Sequence, residues 1–186
     1  MGKLIFITGG ARSGKSTFAE QKAGELGDKV LYVATARRID GEMEQRIARH
    51  ILRRPAGWET LEGYKNLDME LEGIIRDKSA VLLDCITILI TNLMLDEGFD
   101  WDSFSREKIE EIENTILHQI ERLISLSKMS SVPFILVANE VGLGLVPPTA
   151  MGRDFRDIAG RMNQLIARTA DEVYFCVSGI PMKIKG

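Results

Sequence analysis

Gly9-Gly-Ala-Arg-Ser-Gly-Lys-Ser16 is the stretch on which the reading of this 186-residue chain turns. It fits G-x-x-x-x-G-K-[ST], the phosphate-binding loop. Gly9, Gly10 and Gly14 allow backbone conformations closed to other residues, so successive N–H groups can turn inward on one anion. Lys15 adds a point charge toward the β- and γ-phosphates, and the Ser16 hydroxyl suits a Mg²⁺ ion. The flanks carry as much weight as the pattern. Upstream, Lys3-Leu-Ile-Phe-Ile-Thr8 is an apolar run with the character of a buried strand. Downstream, Phe18, Ala19, Ala23 and Leu26 fall at helical spacing within Thr17–Leu26. Strand, glycine loop and helix start belong together because a helix N-terminus favours phosphate.

Outward from the loop, further apolar runs predict buried strands at 29–34, 80–85, 133–139 and 172–178, joining the first at 3–8. They are near-continuously apolar rather than alternating, as in parallel strands covered on both faces. Helical segments between them predict an α/β fold: one mostly parallel sheet flanked by helices, of the phosphate-loop nucleoside-triphosphatase type. The tail Ile180–Lys185, after a Ser178-Gly179 turn, predicts a short antiparallel edge strand. Met43, Ile47 and Ile51 recur every four residues and predict a helix from Asp40 to Arg54, stopped by Pro55. A longer helix is predicted over 102–128, with Ile109, Ile112, Ile116, Ile120, Leu123 and Ile124 as its buried stripe.

Hydrophobic residues make up 45% of the chain and charged ones 27%, an ordinary globular balance over the length of one domain, taken as residues 1–186. The formal net charge of −3 lacks the basic footprint of a general nucleic-acid binder. Cys85 and Cys176 sit in apolar strand-like runs without CxxC spacing, which suits reduced, buried thiols in a cytoplasmic protein and no metal site. No apolar stretch reaches transmembrane length, and the start of the chain has no signal-peptide pattern.

Several residues could carry chemistry. Asp84 ends an apolar strand, the form of the carboxylate that helps hold Mg²⁺ in nucleoside triphosphatases. Alone it would read as a turn cap. On one sheet with a phosphate loop it reads as functional, because the carboxyl ends of parallel strands share a ligand crevice. Of the two histidines, His118 points away from its helix stripe and reads as surface. His50 is surrounded by arginines at 46, 49, 53 and 54. Such a cluster binds phosphates, keeps the imidazole neutral and suits it to a covalent phosphoryl-type intermediate. A solvated face paired with Glu42 and Glu44 is the competing reading. The glycine- and proline-rich run from Ala138 to Pro148 follows a strand end, where ligand loops gather. Arg153, Arg156 and Arg161 with Asp154 and Asp157 fit an ion-pair network or a substrate site equally well.

Taken together, these pieces resemble the bifunctional adenosylcobinamide kinase / adenosylcobinamide-phosphate guanylyltransferases of cobalamin synthesis, over almost the whole chain. The resemblance rests on the loop and on Tyr32-Val-Ala-Thr-Ala36. It also rests on Arg46-Ile47-x-x-His50, Leu83-Asp-Cys85, Asn139-Glu-Val-Gly-x-Gly-x-Val-Pro147 and Gly152-Arg-x-Phe-Arg-Asp157. It implies phosphorylation of adenosylcobinamide by a nucleoside triphosphate, ATP or GTP. GMP then passes from GTP to adenosylcobinamide phosphate. It implies a homotrimer, a guanylylated histidine at His50, and catalysis aided by Lys15. The positions implied to contact nucleotide are Gly9, Gly10, Ala11, Arg12, Ser13, Gly14, Lys15 and Ser16, then Ala34, Thr35 and Ala36, then Ile51, Leu52, Arg53 and Arg54, and finally Glu62 and Asp84. Ser16 and Asp84 are the implied Mg²⁺ ligands, and the loops at 139–157 the expected corrinoid wall. One departure is visible: Ile86-Thr-Ile-Leu-Ile90 stands where the family commonly carries a tryptophan, which bears on packing rather than on the nucleotide site. Two other readings compete: a phosphate-loop kinase for another small metabolite, and a non-catalytic GTP-sensing module.

Overall fold

The computed structural model describes residues 2–37, 55–98 and 100–186; the predicted helix at 40–54 lies outside them. Seven strands form one sheet: β1 (Leu4–Gly9), β2 (Val30–Ala34), β3 (Glu59–Glu62), β4 (Ala80–Asp84), β5 (Phe134–Asn139), β6 (Glu172–Val177) and β7 (Ile180–Lys185). Their order is β3-β2-β4-β5-β1-β6-β7, with every neighbouring pair parallel except β6–β7. All residues of β1 and β2 are buried, as continuous apolar runs require when helices cover both faces.

Alternation along each strand divides the core in two. Ile5, Ile7, Tyr32, Leu82, Ile135 and Val137 face α1 (Lys15–Leu26), which meets them through Ala19 and Ala23. Leu4, Phe6, Val33, Leu83 and Leu136 face the other layer. That layer holds α2 (Leu67–Glu72), α3 (Ile86–Leu95), α4 (Arg106–Met129) and α5 (Ala150–Thr169). The predicted long helix is α4. It starts later than expected because the Ser105 hydroxyl caps it, accepting from the Lys108 N–H at 3.2 Å, while Trp101–Ser103 forms a separate 3₁₀ turn. Of its predicted stripe, Ile112, Ile116, Ile120, Leu123 and Ile124 are buried, and Ile109, near the start of the helix, is half-buried against the same core.

The five predicted strands and the tail strand are present, their ends within about one residue. Cys85 corrects one boundary: β4 stops at Asp84, and Cys85 is the extended residue that begins α3. β3 has no counterpart in the apolar pattern. It is a four-residue edge strand, Glu-Thr-Leu-Glu, paired on one side only and exposed except at Leu61, so it needs no apolar run.

Candidate active site

The loop between β1 and α1 is shaped by close backbone approaches. A Cβ at Gly9 would stand 2.5 Å from the Cys176 carbonyl oxygen, and one at Gly14 would stand 2.9 Å from Gly179 Cα. Gly14 also sits at φ 90°, left-handed backbone that side chains resist. The β6–β7 turn is therefore pressed against the loop, and the Gly179 N–H donates to the Ser13 carbonyl at 2.9 Å. α1 begins at Lys15 with no side chain capping it and no acidic residue in its first turn. The N–H groups of its first turn and its dipole favour an anion there. The Lys15 ammonium, largely buried, donates to the Gly10 carbonyl at 3.1 Å, bending back over the loop that would hold phosphate.

Across the sheet, the other described nucleotide positions lie at the same carboxyl edge. Ala34 stands opposite Glu62 on one side and opposite Asp84 on the other. The Gly63 N–H donates to the Ala34 carbonyl at 3.1 Å, which continues the pairing past Glu62. β3 and β1 are four strand spacings apart, about 19 Å, so this row and the loop can bracket an extended ligand.

Asp84 is held in place. The phenol of Tyr32, buried on the α1 face, donates to its Oδ2 at 3.1 Å. Thr35 locks the backbone beside it. Its hydroxyl donates to the Cys85 carbonyl at 2.8 Å and accepts from the Cys85 N–H at 2.9 Å, while the buried Asn92 amide donates to the Thr35 carbonyl at 2.7 Å. Burial first, and the Asp84 carboxylate next, push the Cys85 thiol up to about 12, with Lys15 opposing. Lys15 also opposes the burial-raised Cys176 thiol, which places its charge between β4 and β6. Both cysteines are free and buried, and neither acts as a thiolate.

The remaining predicted residues divide. Ala11 and Arg12 are exposed at the loop tip, Ser13 is buried beneath it, and Ser16 is half-buried in the first turn of α1. Glu62 is exposed at the sheet edge. His50, Ile51, Leu52, Arg53 and Arg54 lie outside the described residues. His118 is exposed, beside Glu121 at 3.3 Å. The arginine–aspartate group at 153–161 is mainly structural: Arg161 pairs with Glu113, Asp154 accepts from the Trp101 indole at 2.8 Å, and Arg156 pairs with Asp157. Sequence reasoning did not single out Tyr32 or Asn92 as supports of Asp84. Both lay within apolar segments; the pairing of β2 with β4 brings Tyr32 to Asp84, and the packing of α3 brings Asn92 to the Thr35 carbonyl. A separate cavity of about 220 Å³, lined by Lys65, Asp96, Thr115 and Gln119, lies apart from these positions.

Parallel strands, a glycine loop with its buried lysine, and an oriented aspartate on the same sheet edge define a phosphate-loop α/β protein of the nucleoside-triphosphatase type. Within that class the chain can be placed further. The family model described as cobinamide kinase / cobinamide phosphate guanyltransferase matches residues 5–184. The chain belongs to this family and is a transferase. The bifunctional adenosylcobalamin biosynthesis protein CobU of Escherichia coli is 43% identical over 182 residues, covering 98% of this chain and 99% of the relative. The protein of the same name from Salmonella typhimurium matches with the same identity and coverage. CobP of Pseudomonas aeruginosa is 41% identical over 180 residues, 97% and 96% of the two chains. Among solved structures, a RadB recombinase superposes with a TM-score of 0.47 at 15% identity, over 93% of this chain and 73% of that one.

Proposed function

We propose that the chain, acting as one domain over residues 1–186, first phosphorylates the aminopropanol hydroxyl of adenosylcobinamide with ATP or GTP. It then transfers GMP from GTP to adenosylcobinamide phosphate, giving adenosylcobinamide-GDP and pyrophosphate. Full-length membership in the family supports both reactions. The observation that carries the reading is the shared sheet edge, where the Lys15 loop and the Glu62–Ala34–Asp84 row stand on one side of the strands.

In this reading, Gly9–Ser16 binds the β/γ end of the nucleotide through backbone N–H groups and Lys15. Ala34–Ala36, Ile51–Arg54 and Glu62 hold the rest. Ser16 and Asp84 offer hard oxygen donors of the kind Mg²⁺ takes, and Tyr32 orients the carboxylate for that role. Bound Mg²⁺ supplies neutralisation of the phosphate charge. An imidazole nitrogen of His50 attacks the α-phosphorus and the bond to the β-phosphate breaks. Its electron pair leaves on pyrophosphate, and a phosphoramidate forms. An oxygen of the cobinamide phosphate then attacks the same phosphorus and the P–N bond breaks, returning its electrons to the ring. Two displacements replace one difficult attack by a weak, charged nucleophile.

The chain works in the cytoplasm as a homotrimer in this proposal. The free cysteines support the compartment. The exposed apolar residues of the last hairpin, Val177, Ile180, Met182 and Ile184, support a subunit contact. The central test uses GTP radiolabelled at the α-phosphorus. The parent should become labelled through an acid-labile, base-stable bond, and His50→Ala should not. Equal labelling of the two proteins refutes the histidine step.

A further inference from the structure

The strand order places one element between the two halves of the site. β5 lies between β1, which leads into the phosphate loop, and β4, which ends at Asp84. Asn139, its last residue, stands opposite Gly9, so Glu140 emerges beside the first residue of the loop. The Glu140 N–H donates to the Gly9 carbonyl at 3.0 Å. The strand end is braced from behind: the Asn139 N–H donates to the Thr87 hydroxyl at 2.6 Å, and the Asn163 amide donates to the Asn139 carbonyl at 3.2 Å. The carboxylate is oriented as well. Its Oε1 accepts from the Gly142 N–H at 2.7 Å, and a Cβ at Gly142 would press on that oxygen at 3.0 Å.

Beyond this fixed carboxylate the chain turns apolar. Leu143, Leu145 and Val146 are 80%, 96% and 65% exposed. Three large apolar side chains held in water within four residues call for a partner. The far stem is pinned, with Arg153 donating to the Pro147 and Pro148 carbonyls at 3.2 and 2.8 Å. Because the near stem is bonded to the phosphate loop, whatever covers this apron meets the phosphate end of the bound nucleotide. A subunit contact has another candidate face at β7, on the outer edge of the sheet.

We propose that Glu140 and the Leu143–Val146 apron form the acceptor subsite. Glu140 is the general base for the acceptor alcohol, and the apron carries the apolar faces of the corrinoid. This rests on the function proposed above. In the step, the O–H bond of the alcohol breaks as its proton passes to the Glu140 carboxylate, and an oxygen–γ-phosphorus bond forms. The bond from that phosphorus to the β–γ bridging oxygen breaks. Its electron pair leaves on the nucleoside diphosphate, and the proton is later lost to solvent.

The test compares purified full chains in the adenosylcobinamide kinase assay, with corrinoid binding read by equilibrium dialysis and its visible absorption. Glu140→Gln should lower kcat by about 10²-fold or more, with Glu140→Asp recovering part of it. Leu143→Ser with Leu145→Ser should raise the KM and Kd for adenosylcobinamide about tenfold or more at unchanged nucleotide KM. The control is Met129→Ser, an exposed apolar change at the end of α4, which should keep parental values. A Glu140→Gln enzyme with parental kcat overturns the base. Parental corrinoid KM and Kd in the apron variant overturn the subsite, as does an apron variant that changes only the sedimentation of the protein. A parent that neither binds nor phosphorylates adenosylcobinamide overturns the proposed function itself, and this subsite with it.

Discussion

Lys15 is largely buried, and its ammonium donates to the Gly10 carbonyl at 3.1 Å, which sets its charge over the loop where a phosphate would sit. Lys15→Ala should slow both phosphoryl and guanylyl transfer by at least about 10²-fold, read in the two turnover assays, because preorganised charge at the leaving phosphate is lost. Normal turnover would remove the loop from the mechanism. Tyr32 is the subtler residue. Its phenol is the one hydrogen-bond donor seen on the Asp84 carboxylate among the described residues. Tyr32→Phe should raise the Mg²⁺ concentration for half-maximal activity about tenfold or more, since supports of metal ligands commonly weigh that much. An unchanged Mg²⁺ curve would mean Asp84 does not hold the ion. Lys15 was legible in the sequence because loop motifs put their chemistry within eight residues. The Tyr32–Asp84 bond spans 52 positions and was not.

At the scale of elements, the readable ones were those that carry a continuous apolar run or a regular apolar period. Continuous apolar runs announced β1, β2, β4, β5 and β6, and the isoleucine period announced α4. α5 was hidden: Gly152 and Gly160 interrupt it, and its first turns, Ala150–Asp157, were counted among the expected loops at 139–157, a reading the helix corrects. Yet Ile158, Ala159, Met162 and Ile166 pack inward, and the Thr149 hydroxyl caps its start by accepting from the Gly152 N–H at 3.2 Å. β7 is the opposite case, a strand present although all six residues are exposed. Ile180 and Met182 alternate along it and share one side of an edge strand, while the exposed Ile184 falls at a register shift in the β6–β7 pairing. If that side is the contact of the proposed trimer, Ile180→Lys with Met182→Lys should leave only monomer in sedimentation analysis. A variant that sediments as the parent does would discard β7 as the contact.

Over the whole molecule, one charge cluster ties the edge of the sheet to its middle. Glu172, which opens β6, accepts from Lys183 of β7 at 2.8 Å and from Lys3 just before β1 at 2.7 Å. Lys183 and then Lys3 hold its carboxyl down to about 2, against burial and with help from the Tyr174 phenol. The folded value lies below the ordinary 4.5, so the stabilisation is complete above about pH 4.5 and is lost as pH falls toward 2. Glu172→Gln should cost about 1 kcal/mol at pH 7, a figure kept small because both lysines are well exposed to solvent. Denaturant unfolding of parent and variant should show the gap closing below pH 4; a gap independent of pH would rule the linkage out. The amino-acid sequence alone determined the phosphate loop, the parallel α/β character and the identity of the residues with reactive groups, because each depends on local spacing and burial period. The tertiary structure alone decided that β5 lies between β1 and β4, that Ala34 joins Glu62 to Asp84, and that Glu140 stands beside Gly9. Strand order follows from packing between segments far apart in the chain, which no window of neighbouring residues encodes.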